Sequence, residues 1–343
     1  MFSDVMKRNQ RIISQNVTML LMVGVLWATL VSVASAQTHC DPQKVVTAEA
    51  CAKCHVNEVS VWKQTPHFRT FAELSRRPKA KEICKNMGIR SPKRSEICID
   101  CHYTTKMTND KVRAMSGISC ESCHGAAQDW VTVHNDYGGP TITKETETAA
   151  HQKQRWETAI ANGMRNTRNL YQIARSCYGC HTVPNEELVN VGGHNTGSMD
   201  FELVRWSQGQ VRHNFLRTGG TSNATSSIER LRVMYVVGLI ADLEFSTRAT
   251  AKATSKAQYG IEVANRAARA AMKLYELQQK INNPNVQAAL QAFAAADLKA
   301  NNPEQLVEIA EKISDAGSRF AASSDGSELS QVDSDLPDPS EYK

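Results

Sequence analysis

The sequence repeats one five-residue pattern four times: Cys51-Ala52-Lys53-Cys54-His55, Cys98-Ile99-Asp100-Cys101-His102, Cys120-Glu121-Ser122-Cys123-His124 and Cys177-Tyr178-Gly179-Cys180-His181. In each copy two cysteines lie three positions apart, about one helical turn, and a histidine follows at once. The pattern C-x-x-C-H is typical of haem c attachment, in which the two thiols bond the porphyrin vinyl groups and the histidine ligates the iron. The four motifs therefore predict four covalently bound haem c groups.

Other cysteine chemistry fits the motifs less well. A single C-x-x-C also occurs in zinc knuckles and in redox-active dithiols, and cysteine clusters hold iron–sulfur centres. None of these sites needs a histidine directly after every cysteine pair. Four copies that all end in histidine therefore favour haem.

Histidines outside the motifs are candidates for the second axial position of each iron. There are ten histidines in all, and six lie outside the motifs. We take four of them as candidate distal ligands: His67, His134, His194 and His213. His67 follows His55 by twelve residues, or about 18 Å of helix. We therefore expect His67 to serve a haem other than the one on the first motif.

Two cysteines, Cys40 and Cys84, belong to no motif. In an oxidising compartment they can form a disulfide. Two unrelated free thiols fit the sequence equally well, because a disulfide needs Cα atoms within about 7 Å and sequence does not place them.

The first residues have the pattern of a secretory signal peptide. Lys7, Arg8 and Arg11 precede an apolar run over 17–33, and Ala34-Ser35-Ala36 forms an A-x-A cleavage site. This predicts a signal peptide over 1–36, export to the periplasm and no transmembrane span after cleavage. An uncleaved anchor is the alternative, because the run is close to the shortest length that spans a bilayer.

Composition and charge limit the partners. Forty Lys and Arg against 35 Asp and Glu give a net charge of +5, too weak and dispersed to indicate nucleic acid. The 63–113 segment is the exception, with thirteen basic residues and five acidic ones. One reading is a solvated face that offsets haem propionates. The other is a docking surface for an acidic redox partner.

The chain is expected to be mainly α, in three parts after the signal peptide. Residues 37–215 hold all four motifs and should form a haem-packed cytochrome region of short helices and loops, since haem replaces the scarce aromatic side chains as core. Residues 216–321 are alanine-rich and predict a helical bundle, with helices near 226–252, 256–281, 284–299 and 303–321. Residues 322–343 contain six acids and predict a disordered tail.

The order and spacing of the motifs resemble the tetrahaem cytochrome c-554 family. The matching pieces are CAKCH, VWKQTPH ending at His67, CIDCH, GISCESCHG, a histidine at 134 and CYGCH. The resemblance implies four haems in close-packed pairs, mostly with two histidines on each iron, in a family in which one iron can be five-coordinate. It also implies a role like that of members that take electrons from hydroxylamine oxidoreductase. The 120 or so C-terminal residues lie outside the resemblance.

Two functions follow as hypotheses. The first is a periplasmic tetrahaem cytochrome that carries electrons between redox proteins, with a donor like hydroxylamine oxidoreductase and contact through the basic 63–113 face or the C-terminal helices. The alternative is a multihaem oxidoreductase acting on a small nitrogen or sulfur compound at a five-coordinate haem. The sequence singles out no catalytic acid, base or nucleophile, which favours the carrier.

Overall fold

Short helices carry the N-terminal half of the chain. The computed structural model describes residues 40–343, so the predicted signal peptide lies outside the described residues. The helices of this half are α1 (Ala48–Cys51), α2 (Val56–Trp62), α3 (Pro66–Glu73), α4 (Pro78–Asn86), α5 (Glu96–His102), α6 (Cys120–His124), α7 (Ala149–Ala161), α8 (Leu170–His181), α9 (Glu186–Asn190) and α10 (Leu203–Ser207). Single 3₁₀ turns lie at Leu74–Arg76, Pro92–Arg94 and Phe215–Thr218. The prediction of short helices joined by loops is confirmed.

One hairpin interrupts the helices. β1 (Thr104–Thr108) pairs antiparallel with β2 (Lys111–Ser116), and Thr108 lies opposite Lys111. The two residues of the turn, Asn109 and Asp110, have φ values of 49° and 57°. Asn and Asp tolerate this left-handed region, which tight hairpin turns require. These are the two strands of residues 40–343, and the prediction of a mainly α protein is confirmed.

Four long helices follow, close to where alanine content and proline positions predict them. They are α11 (Ile228–Ala251), α12 (Gln258–Ile281), α13 (Pro284–Phe293) and α14 (Pro303–Ser323). α13 begins where predicted, because the Asn283 side chain caps its first turn and proline occupies its first position. It ends about six residues before the predicted end. There the chain turns towards α14, and Asn302 at the start of α14 donates to the Asp297 carbonyl oxygen.

The bundle and the haem-motif region share one hydrophobic core. α11 lies at its centre, with Val236, Val237 and Ile240 fully buried. Tyr171 and Tyr178 of α8, the helix that ends in the fourth motif, belong to the same cluster. The core therefore crosses the predicted domain boundary at 215/216, and the described residues form one compact unit.

The apolar run 233–241 lies within α11. Eight of its nine residues are buried, all but Tyr235. No helix between residues 40 and 343 combines the length and apolar character needed to cross a membrane.

The acidic C-terminal segment is ordered, unlike the disordered tail expected for 322–343. It forms 3₁₀ turns at Ser330–Asp335 and Pro339–Glu341. Leu329 and Val332 are buried in the shared core. Its acids pair with bundle cations: Asp333 lies 2.6 Å from Arg232, and Asp335 lies 2.6 Å from Lys280. Composition alone suggested solvation, but two apolar residues and these ion pairs hold the segment against α11 and α12.

Candidate functional site

Helical turns place the motif side chains together on one face. The second and third motifs end α5 and α6, and the fourth ends α8. The first motif spans the junction of α1 and α2, but the amide of His55 still donates to the Cys51 carbonyl oxygen at 2.9 Å. Residues three positions apart on a helix share a face, so both thiols of a motif can reach one ligand.

The structure brings each motif histidine next to one of the four candidate distal histidines. The pairs, with the distance between ring centroids, are His55 with His134 (6.3 Å), His67 with His181 (6.4 Å), His102 with His194 (6.3 Å) and His124 with His213 (6.2 Å). His67 is thus paired with the fourth motif and His55 with another histidine. All eight histidines are used, and each is used once.

The constant separation within the pairs points to a shared central atom. A metal–imidazole nitrogen bond is about 2 Å long and the nitrogen lies about 1.2 Å from its ring centroid, so two imidazoles on opposite sides of one metal have centroids about 6.4 Å apart. The angle between ring planes, in contrast, varies from 19° to 88° across the pairs. Rotation about the nitrogen–metal–nitrogen axis leaves the distance unchanged, whereas direct ring packing couples distance to angle.

Backbone carbonyls orient several of the rings. Nδ1 lies within hydrogen-bond distance of a carbonyl oxygen in four of them: His134 with Val131 (2.7 Å), His124 with Arg165 (3.3 Å), His194 with Asn195 (2.7 Å) and His213 with Val211 (2.7 Å). A proton on Nδ1 leaves Nε2 as the free acceptor, and outer hydrogen bonds of this kind fix the orientation of metal-binding histidines.

Burial keeps three of the motif histidines neutral. It lowers the pKa of His102 and of His124 to about 4, and that of His181 to about 3. Burial also lowers the pKa of His67. The charged form of a group is disfavoured away from water, so these rings are unprotonated at neutral pH and have a lone pair for a metal.

The motifs lie in a definite spatial order. The Cys51 thiol is a neighbour of the Cys120 thiol, and the Cys180 thiol lies 3.9 Å from the carbonyl oxygen of Asp100 in the second motif. Ser176, just before the fourth motif, donates to the carbonyl oxygen of Cys123 in the third motif at 3.3 Å. The first motif is therefore next to the third, the third next to the fourth, and the fourth next to the second.

Buried hydrogen-bond donors surround the histidine pairs. Within residues 40–343, four such donors beside a pair have no protein partner: Trp130 Nε1 beside His134, Trp206 Nε1 and Arg266 Nη2 beside His181, and Arg212 Nε next to His213. A buried donor without an acceptor is costly. Haem propionates are acceptors of the right kind, so the donors present fit a haem at three of the four pairs, those that contain His134, His181 and His213.

The two extra cysteines are free and lie at different motifs. Cys40 donates to the carbonyl oxygen of Glu121 at 2.6 Å, and burial raises the pKa of its thiol to about 12. Cys84 lies beside Cys98 of the second motif. The structure therefore has two free thiols and not a disulfide between Cys40 and Cys84.

Glu121, inside the third motif, is a functional residue that motif analysis missed. Its side chain is only 1% exposed. The carboxylate accepts three backbone N–H groups, from Val46, Thr47 and Ala127, each at 2.9 Å. It thus ties the segment before the first motif to the third motif. The sequence carries no signal for this role, since the donors are backbone groups far away in the chain.

Arg155 supports His134 in a similar way. Its guanidinium donates to the carbonyl oxygen of His134 and forms a buried ion pair with Glu147. His151 is not paired with a motif histidine, and its Nδ1 lies 2.7 Å from the Glu147 carboxylate. The arginine and its carboxylate hold the loop that carries the distal histidine of the first pair.

Comparison with known proteins gives two matches. Residues 50–125 match the family model described as "Cytochrome c554 and c-prime". A "Cytochrome c-554" of Nitrosomonas europaea is 24% identical over 132 residues, which is 35% of this chain and 54% of that protein. The match thus spans about half the length of that relative. No solved structure matches the chain.

Proposed function

We propose, on the premise that residues 50–125 belong to the cytochrome c-554 family, that this chain is a tetrahaem electron carrier. It is a c-type cytochrome that binds haem c covalently and takes part in electron transfer. The proposal adds the number of haems, their ligands and their order. The observation that carries it is the set of four histidine pairs with nearly equal separations.

In this proposal each motif holds one haem through its two thiols. The motif histidine is the proximal ligand and the paired histidine the distal ligand: His134 for the first motif, His194 for the second, His213 for the third and His67 for the fourth. Bound haem supplies a one-electron Fe(III)/Fe(II) couple. The chain fixes the axial ligands and, by burial, keeps the rings of His67, His102, His124 and His181 neutral.

The neighbouring motifs suggest the route. Contacts link the first motif to the third, the third to the fourth and the fourth to the second. Electrons would pass along this series, with the first and second motifs at its two ends. Because one ligand of the fourth haem follows the first motif in sequence, the array is held together by residues far apart in the chain.

Location and partners belong to the same proposal. The predicted signal peptide and the need to attach haem c outside the cytoplasm support a periplasmic protein. The match to the Nitrosomonas cytochrome identifies no redox partner. A donor like hydroxylamine oxidoreductase therefore rests on the family resemblance alone. The alternative, an oxidoreductase with a substrate at an open iron, would need a pair without its second histidine.

Two measurements on the purified holoprotein test the proposal. Its mass should exceed that of the polypeptide by four haems, and its ferric spectrum should be low-spin. Cyanide should leave the ferric spectrum unchanged, and carbon monoxide should leave the ferrous spectrum unchanged. Replacing Cys120 and Cys123 together by serine should remove one haem and destabilise the region. Fewer than four haems, or a large high-spin component in the wild type, would refute this ligand assignment; the high-spin result would favour the enzyme.

A further inference from the structure

A dense group of exposed cations lies on and around α4. It comprises Arg76, Arg77, Lys79, Lys81, Lys85, Arg90 and Arg94, and we call it the basic patch. The only acid within 76–94 is Glu82, which pairs with Lys79 at 3.0 Å. Arg77 pairs with Glu73 at 3.0 Å. The other five cations have no ion pair within residues 40–343, so the patch presents a net positive surface.

The basic patch lies against the second histidine pair. Asn86, at the end of α4, donates to the Gly192 carbonyl oxygen at 3.2 Å, two residues before His194. The Lys79 ammonium lies 3.6 Å from where a Cβ on Gly193 would be. The patch therefore borders the segment that carries His194 of this pair.

The opposite end of the motif series has no such surface. Around the first motif, residues 49–63 contain Glu49 and Glu58 as well as Lys53 and Lys63. Glu58 approaches the His55 ring at 3.8 Å. Charges of both signs cancel at a distance, so a charged protein is steered towards the second motif and not the first.

We propose that the basic patch docks an acidic electron-carrier protein, and that one electron passes between that protein and the second haem. This rests on the proposed function, since it requires a haem at the His102–His194 pair. On reduction, one electron leaves the donor and one ferric iron becomes ferrous. Complementary charge steers the encounter and raises the association rate by roughly 10- to 1,000-fold at low salt.

Existing ion pairs separate this role from the neutralisation of haem propionates at two positions. Lys79 already has Glu82 as its carboxylate partner, and Arg77 has Glu73. Lys81 and Lys85 are exposed and without an acid partner in the described chain.

The test uses the double variant Lys81→Glu/Lys85→Glu of the holoprotein. The probe is reduced flavodoxin, an acidic electron donor, and haem reduction is followed by stopped flow as a function of salt. The control, Lys153→Glu/Lys312→Glu, makes the same change in net charge on α7 and α14, where both lysines are exposed. The second probe is the reduced methyl viologen cation, a small cationic reductant whose potential is low enough to reduce haems with two histidine ligands.

We expect the patch variant to be reduced by flavodoxin at least about tenfold more slowly than wild type at low salt, and the control to be close to wild type. The difference should vanish at about 1 M salt, where the Debye length is about 3 Å. The cationic reductant should react faster with the patch variant. Carbodiimide cross-links to flavodoxin should map to the lysines of α4.

Two results would overturn the docking proposal. One is an unchanged flavodoxin rate in the patch variant. The other is an equal loss in the control, which would mean that net charge alone matters. A shift in the potential of one haem with an unchanged rate would assign the cations to the propionates instead. Failure of the proposed function is distinguishable, because the reduced methyl viologen cation would then not reduce four haems in the wild type.

Discussion

His67 lies beside His181, with ring centroids 6.4 Å apart, although they come from helices at opposite ends of the motif region. His67 belongs to α3, whose first turn is capped by Thr65 and begins with Pro66. α2 therefore ends before His67, and His67 lies in a separate helix beside the fourth motif. The same short segment therefore connects the first motif with the fourth.

Replacement of His67 by alanine tests this relationship. We expect one haem of the four to become high-spin and to bind carbon monoxide or cyanide, while all four remain attached through their thiols. Added imidazole should restore the low-spin spectrum. Ferric absorption and electron paramagnetic resonance measure the change.

The matched control is His151→Ala. His151 binds Glu147 and is paired with no motif histidine, so its loss should leave all four haems low-spin. A wild-type spectrum for the His67 variant would mean that His67 only packs beside its neighbours.

Glu121→Gln removes a buried charge from between the first and third motifs. The glutamine oxygen cannot accept all three backbone N–H groups as well as the carboxylate does, so we expect a loss of about 1–3 kcal/mol in the free energy of unfolding. The potentials of the first and third haems should rise, because a nearby negative charge favours the ferric state. Denaturant unfolding and a spectroelectrochemical titration measure the two effects. The Glu276→Gln change, at an exposed position on α12, should produce neither.

Arg155→Gln should loosen the distal ligand of the first haem. The variant loses the bond to the His134 carbonyl oxygen and the ion pair with Glu147. We expect a partial high-spin signal from one haem at neutral pH. A fully low-spin spectrum with an unchanged potential would show that the loop needs no such support.

The same ion pair predicts a response to acid. The hydrogen bond from Arg155 is the main cause that lowers the pKa of Glu147 to about 2, from an ordinary value of 4.5. A lowered carboxyl pKa contributes stability above the ordinary value, and that contribution is lost as the pH falls from about 4.5 towards 2. The spin state of the first haem should change over this range in wild type. In Glu147→Gln this acid step should be absent.

Tyr171→Phe tests how the bundle is joined to the fourth motif. The buried Tyr171 hydroxyl donates to Glu244 of α11 at 2.7 Å, and Arg175 and Arg248 bind the same carboxylate. Loss of a hydrogen bond to a charged group costs about 1.5–3 kcal/mol. We expect the free energy of unfolding of the Tyr171 variant to fall by this amount, while the haem spectra stay unchanged. Tyr275→Phe, at an exposed position on α12, should have no effect.

The haem potentials give the last prediction. With the proposed two histidines on each iron, most of the haem potentials should lie well below those of cytochromes with a methionine ligand. Methionine raises the potential of a haem. A potentiometric titration dominated by high-potential haems would contradict the distal assignments to His134, His194 and His213.

Local sequence patterns determined the cofactor class of this protein and the positions of its long helices. The four C-x-x-C-H motifs identified the cofactor class, because both thiols and the histidine lie within one turn of chain. Alanine-rich runs broken by Asn283-Pro284 and Asn302-Pro303 located the bundle helices, because caps and proline act on adjacent residues. The surplus histidines could be named as candidates on count alone.

The tertiary structure decided which distal histidine lies beside which motif histidine. Which histidine meets which motif depends on how distant segments pack, and spacing could only separate His67 from His55. The docking of Leu329 and Val332, and the three backbone donors on Glu121, likewise join residues remote in sequence. Local composition carries no information about such contacts, because their free energy comes from surfaces that exist only after the chain has folded.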